Sequence, residues 1–454
     1  MTLDERTNLD SDDRQHLNQL DVRLARFGWG TAIVGLAVVA VATMFTAEDR
    51  LGRFAHAYLS AFMYVLSLLL GCLLFVMLTH LYRAGWSIVV RRVAEVFAAT
   101  MPALAILSLP ILVIVLLSDG RLYPWAFNLD DHGSAHASMD VPIWVVASGA
   151  ENAHGGTHSE VGKHILEAQS LHLSENKRRY WLNIPWFIVR WVGIVVIWCA
   201  MALWYWKTSL RQDKSSDPGL TRKMEKFSAP GTLIFAVTIT IVAFDLLMSL
   251  EPEWFSTIFG VYYFAGSMIG CFSILILALM GLQRLGHVPS VTVEHYHDLG
   301  KLLFAFVVFW AYIAYSQYML IWYATLPTET FWMDKHGLST NADNSSAFGW
   351  VGLVFLFGHF LIPFLGLMSR HVKRCKPALA FWAVWMLIMH WIDLWWIVLP
   401  SFEETQWFVP TVELGCLLLI GGVCFAVAVR LAADRNLVPV GDPRLAESVR
   451  FENF

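Results

Sequence analysis

The sequence predicts an all-α integral membrane protein of about ten transmembrane helices, and three observations predict it. Apolar residues make up 57% of the 454 positions while charged residues make up only 15%. Soluble domains run at about 45–50% apolar and about 25% charged. Apolar runs close to 20 residues long, the length needed to cross a hydrocarbon core of about 30 Å, recur along the chain. Lys and Arg gather in alternate connections between those runs, as the positive-inside rule requires.

Taken in order, the runs lie at about 27–47, 54–80, 90–117, 184–206, 227–250, 256–282, 299–325, 347–369, 378–400 and 410–433. Residues 1–26 are polar and acidic, lack a basic signal-peptide start, and read as a cytoplasmic arm. Residues 27–433 form the membrane domain and 434–454 a cytoplasmic tail. The basic connections hold Arg83, Arg91 and Arg92, then Lys207 to Lys226, Arg284, and Arg370 to Lys376, which places both termini in the cytoplasm. Trp29, Trp181, Trp186, Trp204, Trp206, Trp254, Trp322, Trp332 and Trp407 stand near the run ends, where an aromatic belt is expected. Pro102, Pro110 and Pro363 are expected to kink the third and eighth runs.

The outer connection at 118–182 is long and carries His132, His136, His154, His158, His164 and His172. Their spacing matches no standard ligand pattern, so a docking surface for an extramembrane partner is the expectation and metal binding is not. The six cysteines are scattered, and no haem-attachment or iron–sulfur spacing occurs. A net charge of −4 suggests no nucleic-acid partner.

An internal repeat shows in two places. Gly71-Cys72 in the second run matches Gly270-Cys271 in the sixth. Asp245-Leu246 stands seven residues before Pro252, and Asp393-Leu394 seven residues before Pro400, each followed by Trp-Phe in the outer turn. An offset of four helices keeps both copies running the same way. That gives two parallel four-helix bundles, helices 2–5 and 6–9, with helices 1 and 10 peripheral.

A charge at the bilayer centre costs roughly 2.5–3.5 kcal/mol on insertion scales, so every ionisable residue inside a run needs a reason. Glu95, Arg190, Asp245, Asp298, Lys301, His359, His390, Asp393 and Glu413 qualify, with Glu251 just beyond the fifth run and Tyr312, Tyr315, Ser316, Gln317 and Tyr318 along the seventh. Ordered by depth they form a graded series suited to a proton path. Bland readings stand beside that one. Asp298 and Lys301 are spaced as an intrahelical ion pair, Arg190 can lock helices four and five through Asp245, and His359 can be a packing residue. His80 and Glu95 are expected to snorkel to the cytoplasmic face. His390 with Asp393 is the pair that packing explains least, because Asp393 recurs as Asp245.

Three stretches carry a resemblance: DLLMSLEPEWFSTIFGVYYFAGS (245–267), HDLGKLLFAFVVFWAYIAYSQYMLIWYATLPTET (297–330) and the tail LVPVGDPRLAESVRFEN. They resemble the NrfD-like family of polysulfide-reductase membrane subunits, and within it the F-type subunits of bacterial alternative complex III. The resemblance implies a multi-pass subunit of the bacterial inner membrane in a respiratory quinol oxidoreductase delivering electrons to cytochrome c or a terminal oxidase. It implies haem and iron–sulfur centres on partners: multihaem and monohaem cytochrome c subunits, an iron–sulfur subunit and a second NrfD-like subunit. It implies proton conduction or scaffolding here, with no catalytic residue, and singles out Asp245, Glu251, Asp298, Lys301, Tyr315, His390 and Asp393. A quinone bound directly by this chain, a secondary transporter and a structural anchor remain alternative readings.

Overall fold

The computed structural model describes residues 3–44, 49–117, 120–126, 180–338, 350–402, 410–433 and 435–452, with side chains described from residue 23 onward. The histidines at 132–172 and Trp407 lie outside the described residues. Every regular element described is a helix, and ten of them are long and apolar enough to cross a membrane. The chain is a multi-pass membrane protein.

The spanning helices are α1 (Leu3–Met44, apolar from Arg23), α2 (Arg50–Leu81), α3 (Ile88–Leu117), α4 (Ile184–Ser215) and α5 (Pro218–Leu250). There follow α6 (Phe259–Arg284), α7 (Val293–Ala324), α8 (Val351–Met368), α9 (Lys376–Ser401) and α10 (Thr411–Ala432). Several extend past the apolar run that announces them. The seventh begins six residues earlier than its run because Thr292 and His295 form a capping box. The expected arm is helical from Leu3 and runs without a break into the first span.

Helix α2 packs on α3 and α5, and α4 joins α3 to α5, closing one ring of four. Helix α6 packs on α7 and α9, and α8 joins α7 to α9, closing a second. The rings meet where α2 lies along α6 and α9, and where α5 lies along α6. Both central helices are mostly buried by protein, while α1 and α10 pair with each other and lean on α2. Without water to drive helices together, close backbone approach carries the contact. A side chain at Gly71 would stand 2.3 Å from the Ser267 carbonyl oxygen of α6, and one at Gly35 would stand 2.4 Å from the Leu419 nitrogen of α10.

Prolines break the helices as expected. Helix α3 is interrupted at Thr100 and Ser108, just before Pro102 and Pro110. The two hydroxyls donate back to the Phe97 and Ala105 carbonyls, each at 2.7 Å. Ahead of Pro363, α8 widens into a π-helical stretch, Val354–Leu361. The aromatic belt is only partly at the surface: Trp29, Trp181, Trp186 and Trp322 are exposed, but Trp206, Trp254 and Trp332 are buried.

Candidate functional site

The end of the bundle that carries Arg83, Arg91, Arg92, Lys207–Lys226 and Arg370–Lys376 is called the basic end here, and the other the opposite end. The candidate residues do not line one path across it. They fall into separate clusters.

The largest cluster sits inside the second ring. Asp393 on α9 lies eight residues, about 12 Å of helix, from the opposite-end terminus of α9 at Ser401. It is buried, and both of its oxygens are taken by neutral donors: the Tyr262 hydroxyl on α6 donates to Oδ1, and the Trp310 indole on α7 donates to Oδ2 at 3.2 Å. His359, on the π-helical stretch of α8, stacks on Trp310 with ring centroids 3.6 Å apart. It is fully buried, and neither of its ring nitrogens has a hydrogen-bond partner. One turn before Asp393, His390 places Nε2 2.7 Å from the Ser67 hydroxyl of α2, so the cluster reaches across to the first ring. Its Nδ1 has no partner and faces Gly266, where a Cβ would come within 2.9 Å of it. A glycine on α6 is what leaves room for this imidazole.

Asp245, at the matching step of α5, has different company. Arg190 on α4 grips it with two bonds, Nε to Oδ2 at 2.7 Å and Nη2 to Oδ1 at 3.0 Å. The Trp181 indole donates to Oδ1 at 2.8 Å. Arg190 also donates to the Trp181 carbonyl and lies over the indole ring at 4.2 Å. Fork-to-fork pairing of this kind fixes geometry as well as charge. The arginine thus ties α4, α5 and the segment ahead of α4 together.

Toward the opposite end from Asp393, Trp396 donates to the His336 carbonyl at 2.8 Å. His336, just after the short helix Pro327–Lys335, is fully buried and stacked on Trp332 at 3.9 Å. Trp254 stacks on the same indole at 4.3 Å. Burial pushes the His336 imidazole down to about 4, so the ring is neutral at pH 7. Its nitrogens face two carbonyls, Trp332 at 2.8 Å and Ile397 at 3.3 Å, and a neutral ring can donate to only one. Glu251 pairs with Lys335 at 2.5 Å above this stack.

The remaining candidates stand apart. Asp298 and Lys301 form an intrahelical ion pair. Twelve residues of α7, about 18 Å, separate Asp298 from Trp310. Tyr315 is exposed on α7, with its hydroxyl 3.8 Å from the Met319 sulfur. Gln317 is buried and accepts from Ser256 at 3.3 Å. Glu413 pairs with Arg53 of α2 at 2.8 Å, both buried.

Two expectations about the basic end need correcting. Glu95 and His80 do not snorkel, because protein covers both completely. Glu95 bonds Arg91 at 3.3 Å and pairs with Arg92 at 3.4 Å, while His80 stacks on Tyr205. Sequence reasoning also missed Tyr262, Trp310 and Ser67 as partners, since a single aromatic or serine in an apolar run is indistinguishable from packing.

Among the described residues, no three His, Cys, Asp or Glu side chains converge as metal ligands would. A quinone head needs a flat apolar slot beside its hydrogen-bonding groups. The face of Trp310 turned toward α8 is taken by His359 at 3.6 Å, so no flat slot stands between those two rings. What the cluster offers chemically is a carboxyl without a cation among its partners, bounded by two imidazoles with unused nitrogens. No protein-family model matches the chain, and no curated protein matches it.

Proposed function

We propose that this chain is a membrane subunit of a respiratory quinol oxidoreductase of the alternative complex III kind, in the bacterial plasma membrane with both termini cytoplasmic. Its own task is proton transfer at Asp393, with the rest of the bundle as scaffold. Haem, iron–sulfur and quinone chemistry belongs to partner subunits: a second NrfD-like subunit, cytochrome c subunits and an iron–sulfur subunit. The three stretches of resemblance support the assignment to this kind of complex. The two four-helix rings, with Asp245 and Asp393 at matching steps, support reading the bundle as a parallel repeat.

One observation carries the role given to Asp393: it is buried among Tyr262 and Trp310, whereas Asp245 is bound by Arg190. A buried carboxylate without a cation is costly, and its protonated form is not. Proton exchange at such a site moves charge into and out of a low-dielectric interior, which a structural ion pair does not do. Tyr262 and Trp310 hold the carboxyl in place, and His359 and His390 are within the same cluster to take or give a proton.

The test of the assignment is gentle solubilisation of the tagged chain from its native membrane, followed by identification of what co-purifies. Multihaem cytochrome c and iron–sulfur subunits, with quinol oxidation, are the expected result. A colourless chain that purifies alone would overturn it.

A further inference from the structure

At the basic end of the first ring, four ionisable side chains are buried and a fifth, Asp213, is nearly so. Arg91, Arg92 and Glu95 come from α3 and Asp213 from α4. Asp442 comes from the segment 435–452 that follows α10. Arg91 donates to Asp442 at 2.6 Å with both side chains fully buried. Arg92 donates to Asp213 at 2.8 Å and lies over the Trp206 ring. His80 sits in the same end, fully buried, with neither ring nitrogen bonded.

The segment is built into this end at four points. Its Gly441 packs so tightly on α4 that a Cβ would stand 2.0 Å from the Gln212 carbonyl oxygen. The Arg444 guanidinium donates to the Arg83 carbonyl at 2.6 Å, in the turn after α2. Ser448 does the work of a missing helix cap: Ser87 makes no side-chain cap bond to α3, and the Ser448 hydroxyl instead accepts from the Val89 N–H at 3.3 Å while donating to the Trp86 carbonyl at 2.7 Å. Phe451 lies against both Trp86 of the first ring and His295 of the second.

We infer that residues 435–452 form a strap that shuts the basic end of the first ring, and that its lifting opens the buried Arg91–Glu95–Asp213 network to water. Burying ionised groups needs both partners and exclusion of solvent. Asp442 supplies a partner, and the segment's backbone supplies the exclusion. The segment is held by the Arg91–Asp442 pair, by Leu437 and Leu445 set into the core and by the two ring contacts of Phe451, and as a peripheral segment carrying no spanning helix it opens at lower free energy than the helices it covers. The strap lies over the other ring from Asp393, so this inference stands or falls separately from the proton reading.

Ser209 reports on the opening. It is one turn before Asp213 on the same face of α4, fully buried, with no partner for its hydroxyl. The experiment places a thiol there by Ser209→Cys, in a Cys375→Ser background that removes the exposed native cysteine. The complex is purified from native membranes and labelled with a bulky water-soluble maleimide. The maleimide's attachment sites are mapped by mass spectrometry. With the strap intact, labelling is slow. Asp442→Asn, Gly441→Ala and a chain ending at Leu437 each speed it by roughly tenfold or more, while buried Cys72 stays unlabelled and so reports that the helices remain folded. Arg450→Ala, at an exposed strap residue, leaves the rate unchanged. Equal rates with and without the strap, whether both fast or both slow, would overturn the inference.

Discussion

Asp245 and Asp393 occupy the same step of the same pattern, each followed by leucine and, seven residues on, by proline. Their surroundings differ. Around Asp245 the ring supplies an arginine, an indole and a bidentate grip that ties two helices together. Around Asp393 it supplies a phenol and an indole and leaves two imidazoles beside them with unused nitrogens. A buried ion pair needs no proton to balance its charge, whereas a carboxyl held by neutral donors balances its charge only by binding one. The same residue at the same step of the sequence pattern is thus bound by a cation in one bundle and by neutral donors in the other.

The comparison is broken most forcefully through Arg190. Arg190→Leu leaves Asp245 without its cation and is expected to cost about 3–5 kcal/mol of stability, while Arg190→Leu with Asp245→Leu recovers most of it. Thermal unfolding of the purified complex measures both. If the double variant is no better than the single, the pair is not what holds α4 to α5.

Asp393→Asn keeps the shape and the Tyr262 bond but opposes an amide N–H₂ to the Trp310 indole, at a cost of about 1 kcal/mol. Turnover and proton yield in vesicles are expected to fall by roughly tenfold or more if a general acid–base group has been removed. The sharpest form of the comparison is this pairing of effects: the arginine variant loses stability, and the asparagine variant loses function with its stability nearly intact.

His336 adds a pH test in the cap above the second ring. Its folded value of about 4 lies below the ordinary 6.5. The unfolded cap therefore binds the proton first as pH falls. Stability supplied by the neutral ring is complete above about pH 6.5 and declines toward pH 4, by up to about 3 kcal/mol. His336→Phe removes this slope. Hydrogen exchange of the amides at 327–338, followed against pH, checks it.

The smallest effect is expected at Tyr315, exposed on α7 with only a long contact to the Met319 sulfur. Tyr315→Phe is expected to change stability by less than about 0.5 kcal/mol and to leave turnover unaltered. A large loss of turnover would move the proton route to the outer face of α7.

The ten spans were legible because a membrane helix needs about 20 apolar residues in a row, and little else produces such runs. Asp245 and Asp393 were legible as charges inside those runs. Their difference was not. Arg190 lies 55 residues from Asp245, and Tyr262 and Trp310 lie 131 and 83 residues from Asp393. Only packing of α6, α7 and α9 brings the last three together. Glu95 was expected at the surface for a related reason: it pairs with Arg91 and Arg92 one turn away, but Asp442, which completes the buried group around Arg91, is 351 positions distant. Periodicity sees one helix at a time, whereas burial of a charge is decided by its neighbours.

Infrared difference spectroscopy across a pH titration distinguishes a proton-exchanging Asp393 from an ion-paired Asp245. A titrating carboxylic C=O band is expected, lost in Asp393→Asn and retained in Asp245→Asn. A titrating band unchanged by Asp393→Asn, or one lost instead in Asp245→Asn, would contradict proton exchange at Asp393.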